Sequence, residues 1–170
     1  LLLNRVQRRQ PVEERRDVAC REHTVDADAP GRRVCEFDRA PGIAIDLGDG
    51  ILNVEFHTKM NTIGGDVVQG LNKGIEIAEK EFRGMVVGSQ AANFSAGANV
   101  GLIYMYALEQ EYDEINFMIK QFQDAMMRMR YSAIPVVGAP HGLTLGGGCE
   151  LNLHCDHVQA AAETYMGLVE

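Results

Sequence analysis

Residues 142–150 read Gly-Leu-Thr-Leu-Gly-Gly-Gly-Cys-Glu, an apolar approach that ends in three consecutive glycines and a carboxylate. Gly146, Gly147 and Gly148 let the main chain come close to a ligand, and Glu150 falls in the first turn of a helix predicted to start at Gly147. The first N–H groups of a helix lack intrahelical acceptors, and the aligned peptide dipoles add partial positive charge there. Such a place suits an anion, or an oxygen that is gaining negative charge. A carboxylate repels that same charge, so Glu150 belongs beside it as a group that handles protons. This combination points to an enzyme.

The segments around this stretch alternate between two periods. Residues 134–139, Ile-Pro-Val-Val-Gly-Ala, predict the strand that leads into the glycine run. The helix from Gly147 is predicted to end near Cys155, with a further strand over residues 157–161. Upstream, Ile115, Met118, Ile119, Phe122, Met126 and Met129 follow helical spacing and predict a long amphipathic helix, its methionines filling core. A shorter helix, reaching about Leu108, follows the turn Phe94-Ser95-Ala96-Gly97-Ala98. Met85-Val86-Val87, enclosed by Gly84 and Gly88, predict a short buried strand. Val68, Leu71, Ile75 and Ala78 share one face of a helix predicted over residues 65–82. Residues 43–47 and 51–56 flank Gly48-Asp49-Gly50 and predict a β-hairpin. Strands alternating with helices imply an α/β layered fold, with function carried by the loops at strand ends. No repeat of fixed period is present.

Composition bounds the function. The 170 residues are 46% hydrophobic, enough for one domain with a core, and no apolar run is long enough to span a bilayer. Residues 1–40 hold nine arginines, no lysine and eight acids, leaving seven basic against sixteen acidic residues beyond them. The domain over residues 41–170 is therefore acidic, which argues against nucleic-acid binding. Residues 1–40 read as a polar, arginine-rich leader, disordered or loosely attached, because Glu13, Glu14 and Asp17 offset Arg5, Arg8, Arg9, Arg15 and Arg16. That leader lacks both a signal-peptide apolar stretch and a Gly-x-Gly-x-x-Gly turn. Cys20, Cys35, Cys149 and Cys155 form no disulfide framework and read as reduced thiols of a cytoplasmic protein. Cys149, His154, Cys155 and His157 have a spacing that suits no common zinc site. Ser89, Ser95 and Ser132 sit on no nucleophile elbow.

Two strand-to-helix turns remain, Phe94-Ser95-Ala96-Gly97-Ala98-Asn99 and Leu145-Gly146-Gly147-Gly148-Cys149-Glu150. Each can present a backbone N–H, and two such groups aimed at one point form an oxyanion hole. With both turns in this order, residues 42–170 resemble the crotonase (enoyl-CoA hydratase/isomerase) superfamily. Within it they look most like the hydratase portion of multifunctional fatty-acid oxidation proteins that also carry a 3-hydroxyacyl-CoA dehydrogenase. The resemblance implies a crotonase-like fold, here truncated at its C-terminus, with weak or no activity in isolation. It implies oxyanion donors at the N–H groups of Ala98 and Gly147, and two acid–base glutamates, Glu150 and Glu170. Glu170 closes Tyr165-Met166-Gly167-Leu168-Val169-Glu170, which is similar to the family's segment at that place. Many isomerases of the superfamily lack the first glutamate, so Glu150 favours hydration of 2-enoyl-CoA. Enoyl-CoA isomerisation, acyl-CoA thioester hydrolysis and non-catalytic acyl-CoA binding stand as alternatives. Lys59 and Ala96 fall where the family's loops approach the CoA moiety. Asn99 departs from the pattern, since aspartate is frequent there. The resemblance implies no metal or redox cofactor, coenzyme A being part of the substrate. The expected partners are an acyl-CoA, a fused or associated 3-hydroxyacyl-CoA dehydrogenase and further copies of the chain, with no membrane or nucleic acid.

Overall fold

The structure is a computed structural model that describes residues 34–36 and 42–169. Strands β1 (Val34–Glu36), β2 (Gly42–Gly48) and β3 (Ile51–Phe56) form an antiparallel meander. Strands β4 (Gly84–Val87), β5 (Val136–Gly138) and β7 (His157–Val158) continue it in parallel, giving the order β1-β2-β3-β4-β5-β7. Parallel neighbours need crossovers, which the helices supply. Helix α1 (Gly65–Glu81) joins β3 to β4, while α2 (Val100–Leu108) and α3 (Tyr112–Arg130) lie between β4 and β5. Strands β6 (Leu143–Leu145) and β8 (Tyr165–Gly167) pair in parallel as a separate two-stranded sheet, and α4 (Gly147–Leu153) follows β6 directly.

The expected hairpin forms, with Gly48, Asp49 and Gly50 all in the left-handed region at its turn. The sheet also begins earlier than residue 41, because β1, inside the stretch read as a leader, adds an edge strand to β2. The rest of that leader lies outside the described residues. Strands β6 and β8, three residues each, were not anticipated. The strand after α4 is shorter than residues 157–161. Among the described residues no helix is long and apolar enough to cross a membrane.

The core follows from period. Along β3, Leu52, Val54 and Phe56 point into one apolar cluster, where they meet Leu71, Ile75 and Ala78 of α1 and Met126 and Met129 of α3. The alternate positions Asn53 and Glu55 are also buried, but polar, and they satisfy one another: Asn53 Nδ2 donates to Glu55 Oε1 at 2.8 Å. Glu79 of α1 ties to α3 through the two terminal guanidinium nitrogens of Arg128 and accepts from the Ala133 N–H at 2.9 Å.

Gly74 sets how closely α1 approaches the sheet. A Cβ there would lie 2.5 Å from Val54 Cγ2, and valine has few rotamers with which to withdraw. Gly74→Ala would gain about 1 kcal/mol of helix propensity but incur about 1–3 kcal/mol of overpacking. The clash wins. Urea denaturation is expected to give a variant less stable than the parent by about 1 kcal/mol, against the sign that propensity alone gives.

Candidate active site

The two turns read from the sequence are stitched together by one parallel bridge, Ser95 to Thr144. Ser95 N–H donates to Leu143 O and Leu145 N–H donates to Ser95 O, each at 3.0 Å. From that bridge both chains run on in the same direction, so Ala98 and Gly147 stand three residues beyond it on either side. Gly97 makes the close approach. Its φ is +90°, and a Cβ on it would fall 2.8 Å from Leu145 O and 3.4 Å from Gly147 N. Since Ala98 N follows Gly97 directly, backbone geometry holds the Ala98 and Gly147 nitrogens within about 6 Å of each other. An oxygen accepting from both at about 2.9 Å requires that separation to stay under about 5.8 Å. Among the described residues neither amide donates to a protein acceptor. Gly148 keeps the second turn tight, because a Cβ there would meet Ser95 Cβ at 2.7 Å.

Ser95 is fully buried and fastens the first turn. Its hydroxyl donates to Asn61 O at 2.6 Å and accepts from Gly97 N at 3.0 Å. Its proton is thus held by a carbonyl, and its part is structural. Ser95→Ala would leave buried polar groups at Gly97 and Asn61 without their partner, a loss of about 2–4 kcal/mol that thermal or urea denaturation would read.

The bridged turns open on a cavity of about 230 Å³ lined by Ala98, Gly147 and Glu150 together with Ile63, Leu102, Ile103, Met118 and Phe122. Three helices start at its wall: α1 after Gly64, α2 after Asn99 and α4 after Gly146. Asn99 Oδ1 caps α2 by accepting from Leu102 N at 3.2 Å. The dipoles of all three helices favour negative charge at this point, each strongest within its first turn. Glu150 is exposed, and among the described residues its carboxylate has no hydrogen-bond partner. The backbone beneath it is fixed instead: its N–H donates to Gly146 O at 2.9 Å, and its carbonyl accepts from His154 Nδ1 at 2.7 Å.

Ala98, Gly147 and Glu150 are thus brought together. Glu170 lies outside the described residues. The chain leading toward it is placed beside the glycine turn, since Gly167 pairs with Leu145 and its carbonyl accepts from Gly146 N at 2.9 Å. Lys59 and Ala96 adjoin each other without lining the cavity. Lys59 opens a 3₁₀ turn, Lys59–Asn61, exposed at Lys59 and Met60 and buried at Asn61, whose Met60 carbonyl accepts from Ala96 N at 3.1 Å. Cys149 and Cys155 are buried free thiols. Burial and then the Glu150 charge raise the Cys149 pKa; burial and the Asp156 carboxylate push that of Cys155 up to about 12. Neither is poised as a nucleophile.

Sequence reasoning missed two contributions. Asn61, buried beside Ser95, donates through Nδ2 to Ser89 Oγ at 3.1 Å and to Asn93 O at 3.3 Å, steadying the first turn from behind. The apolar stripe of α3 divides between two tasks. Met126 and Met129 enter the core, whereas Met118, Ile119 and Phe122 line the cavity.

The chain is similar to known proteins in sequence and in fold. A family model described as enoyl-CoA hydratase/isomerase matches residues 46–170. Over 126 residues, 74% of this chain and 16% of the relative, the sequence is 49% identical to a probable 3-hydroxyacyl-CoA dehydrogenase of Bacillus subtilis. Over 113 residues, 66% of the chain and 16% of the relative, it is 34% identical to a putative fatty acid oxidation complex trifunctional enzyme of Rickettsia felis. An enoyl-CoA hydratase/isomerase from Xanthobacter autotrophicus superposes with a TM-score of 0.68 at 20% identity, covering 77% of this chain and 49% of the other. Human enoyl-CoA hydratase domain-containing protein 3 gives 0.67 at 24% identity, covering 73% and 49%. These solved structures establish the crotonase-like fold. The chain spans about one-sixth of the length of the curated relatives and about half that of the solved structures. It belongs to the enoyl-CoA hydratase/isomerase family.

Proposed function

We propose that this chain carries the catalytic turns of a 2-enoyl-CoA hydratase acting in fatty-acid oxidation. The observation that carries the reading is the pair of amides, Ala98 and Gly147, on one cavity wall with the Glu150 carboxylate, none of the three groups having a hydrogen-bond partner among the described residues. Hydration joins a water oxygen to C3 of the enoyl thioester and a proton to C2, through a state with negative charge on the thioester oxygen. The two N–H groups and three helix N-termini favour that charge where it develops, at about 3–4 kcal/mol for a donor of this kind. Glu150 takes the proton from water as oxygen bonds to C3, and Glu170 delivers the proton to C2. The apolar cleft between α2 and α3 takes the acyl chain. Lys59, exposed beside Ala96, is placed in the scheme as a contact for the CoA phosphates.

The chemistry draws on no cofactor beyond the coenzyme A of the substrate itself. A 3-hydroxyacyl-CoA dehydrogenase, fused or associated, would oxidise the product, in keeping with the name of the Bacillus subtilis relative. We place the reaction in the cytoplasm, with further copies of the chain as candidate partners. Assays with 2-enoyl-, 3-enoyl- and 3-hydroxyacyl-CoA separate hydration from isomerisation and thioester hydrolysis. The expected result is turnover of the 2-enoyl thioester to the 3-hydroxy product. Turnover of the 3-enoyl substrate alone, or release of free CoA, would move the assignment to the corresponding alternative.

A further inference from the structure

We infer that Phe122 is a specificity-determining residue, one that restricts the acyl group to chains unbranched beside the thioester. The inference rests on the acyl-thioester reading of the cavity and deepens it. The atoms nearest to a Cβ built on Gly147 are Phe122 Cζ at 3.5 Å, Ile63 Cδ1 at 3.6 Å and Phe122 Cε2 at 3.7 Å. The ring edge therefore lies within about 6 Å of the Gly147 nitrogen. A thioester oxygen accepting from that N–H sits about 2.9 Å from it, so its C2 and C3 pass beside the ring, while the far end of the chain does not. Phe122 has little room to withdraw, being partly buried against the apolar core, and Ile63 on the same wall is buried. Beyond them the cavity continues between α2 and α3 past Leu102, Ile103 and Met118, which leaves a path for a straight chain. A methyl branch at C2 would meet the ring. The limit is on shape near the carbonyl and not on length.

The test compares two acyl isomers of equal composition, butanoyl-CoA and 2-methylpropanoyl-CoA, with free CoA as reference. Binding to the chain is measured by isothermal titration calorimetry. The parent is expected to prefer the straight isomer by about tenfold, the range seen when one misplaced carbon is refused by an apolar pocket. Phe122→Ala is expected to narrow that preference to about twofold or less, and Phe122→Leu to narrow it partway. The leucine variant keeps an apolar side chain against the core and decides the matter if the alanine variant does not fold. Equal affinity of the parent for both isomers, or a ratio unchanged in the variants, overturns the role of Phe122 and leaves the thioester reading standing. If neither acyl-CoA binds the parent more tightly than free CoA, the thioester reading falls and the inference falls with it.

Discussion

Gly97→Ala is expected to lower kcat/KM for hydration of a 2-enoyl-CoA by about 10²–10³, the loss that follows when one donor of an oxyanion site is misplaced. The added Cβ has nowhere to go. It would sit 2.8 Å from the carbonyl oxygen of Leu145, a backbone atom held by its pairing with Gly167, and φ at this residue is +90°. Relief requires the Ser95–Ala98 turn to part from the Leu145–Gly148 turn, which would separate the two amides proposed to share the thioester oxygen. Backbone strain of about 1–3 kcal/mol accompanies the change, so urea denaturation belongs beside the kinetics. A variant that stays folded by circular dichroism and binds acyl-CoA, yet has lost turnover, is the outcome expected. Full activity in a folded Gly97→Ala variant would mean that the spacing of the two turns does not matter to the chemistry.

Glu150→Gln is expected to cost about 10²–10⁴ in kcat, with KM changed little. The amide is close to the carboxylate in shape and leaves α4 and its two N-terminal glycines undisturbed, but it cannot accept a proton from water. No protein group satisfies the Glu150 carboxylate among the described residues, so the substitution removes no internal bond, and stability should be unchanged within about 0.5 kcal/mol. Gly97→Ala and Glu150→Gln therefore separate along two axes. The first disturbs stability and polarisation together, and the second disturbs proton transfer alone. A Glu150→Gln variant that retained parental kcat would assign the base to another group.

Much of the fold was legible because its elements carry strong local periods. Apolar runs on either side of Gly48-Asp49-Gly50 marked β2 and β3, and Leu71, Ile75 and Ala78 on one helix face marked α1; these three are buried with Leu52, Val54 and Phe56 of β3. The short strands β6 and β8 escaped notice for a physical reason. Three residues are too few to display alternation, and their pairing, Leu143–Leu145 with Tyr165–Gly167, is specified by contacts more than twenty positions apart. At the candidate site, the glycine run and Glu150 were visible because consecutive glycines before a first-turn carboxylate mark a close backbone approach at a helix start. Ser95 did not. A serine in a small-residue turn looks like filler until its hydroxyl is seen between Asn61 O and Gly97 N. The division of the α3 stripe between core and cavity was equally hidden, because an apolar face reads the same whether it meets protein or substrate.

In the proposed reaction, two main-chain amides from separate turns polarise one thioester oxygen. Isotope-edited infrared spectroscopy of a 2-enoyl-CoA labelled with ¹³C at the thioester carbonyl reads that polarisation directly. The carbonyl band of the bound thioester is expected at lower frequency than in solution, with a smaller shift in Gly97→Ala. A bound carbonyl absorbing at its solution frequency in the parent protein would contradict this polarisation.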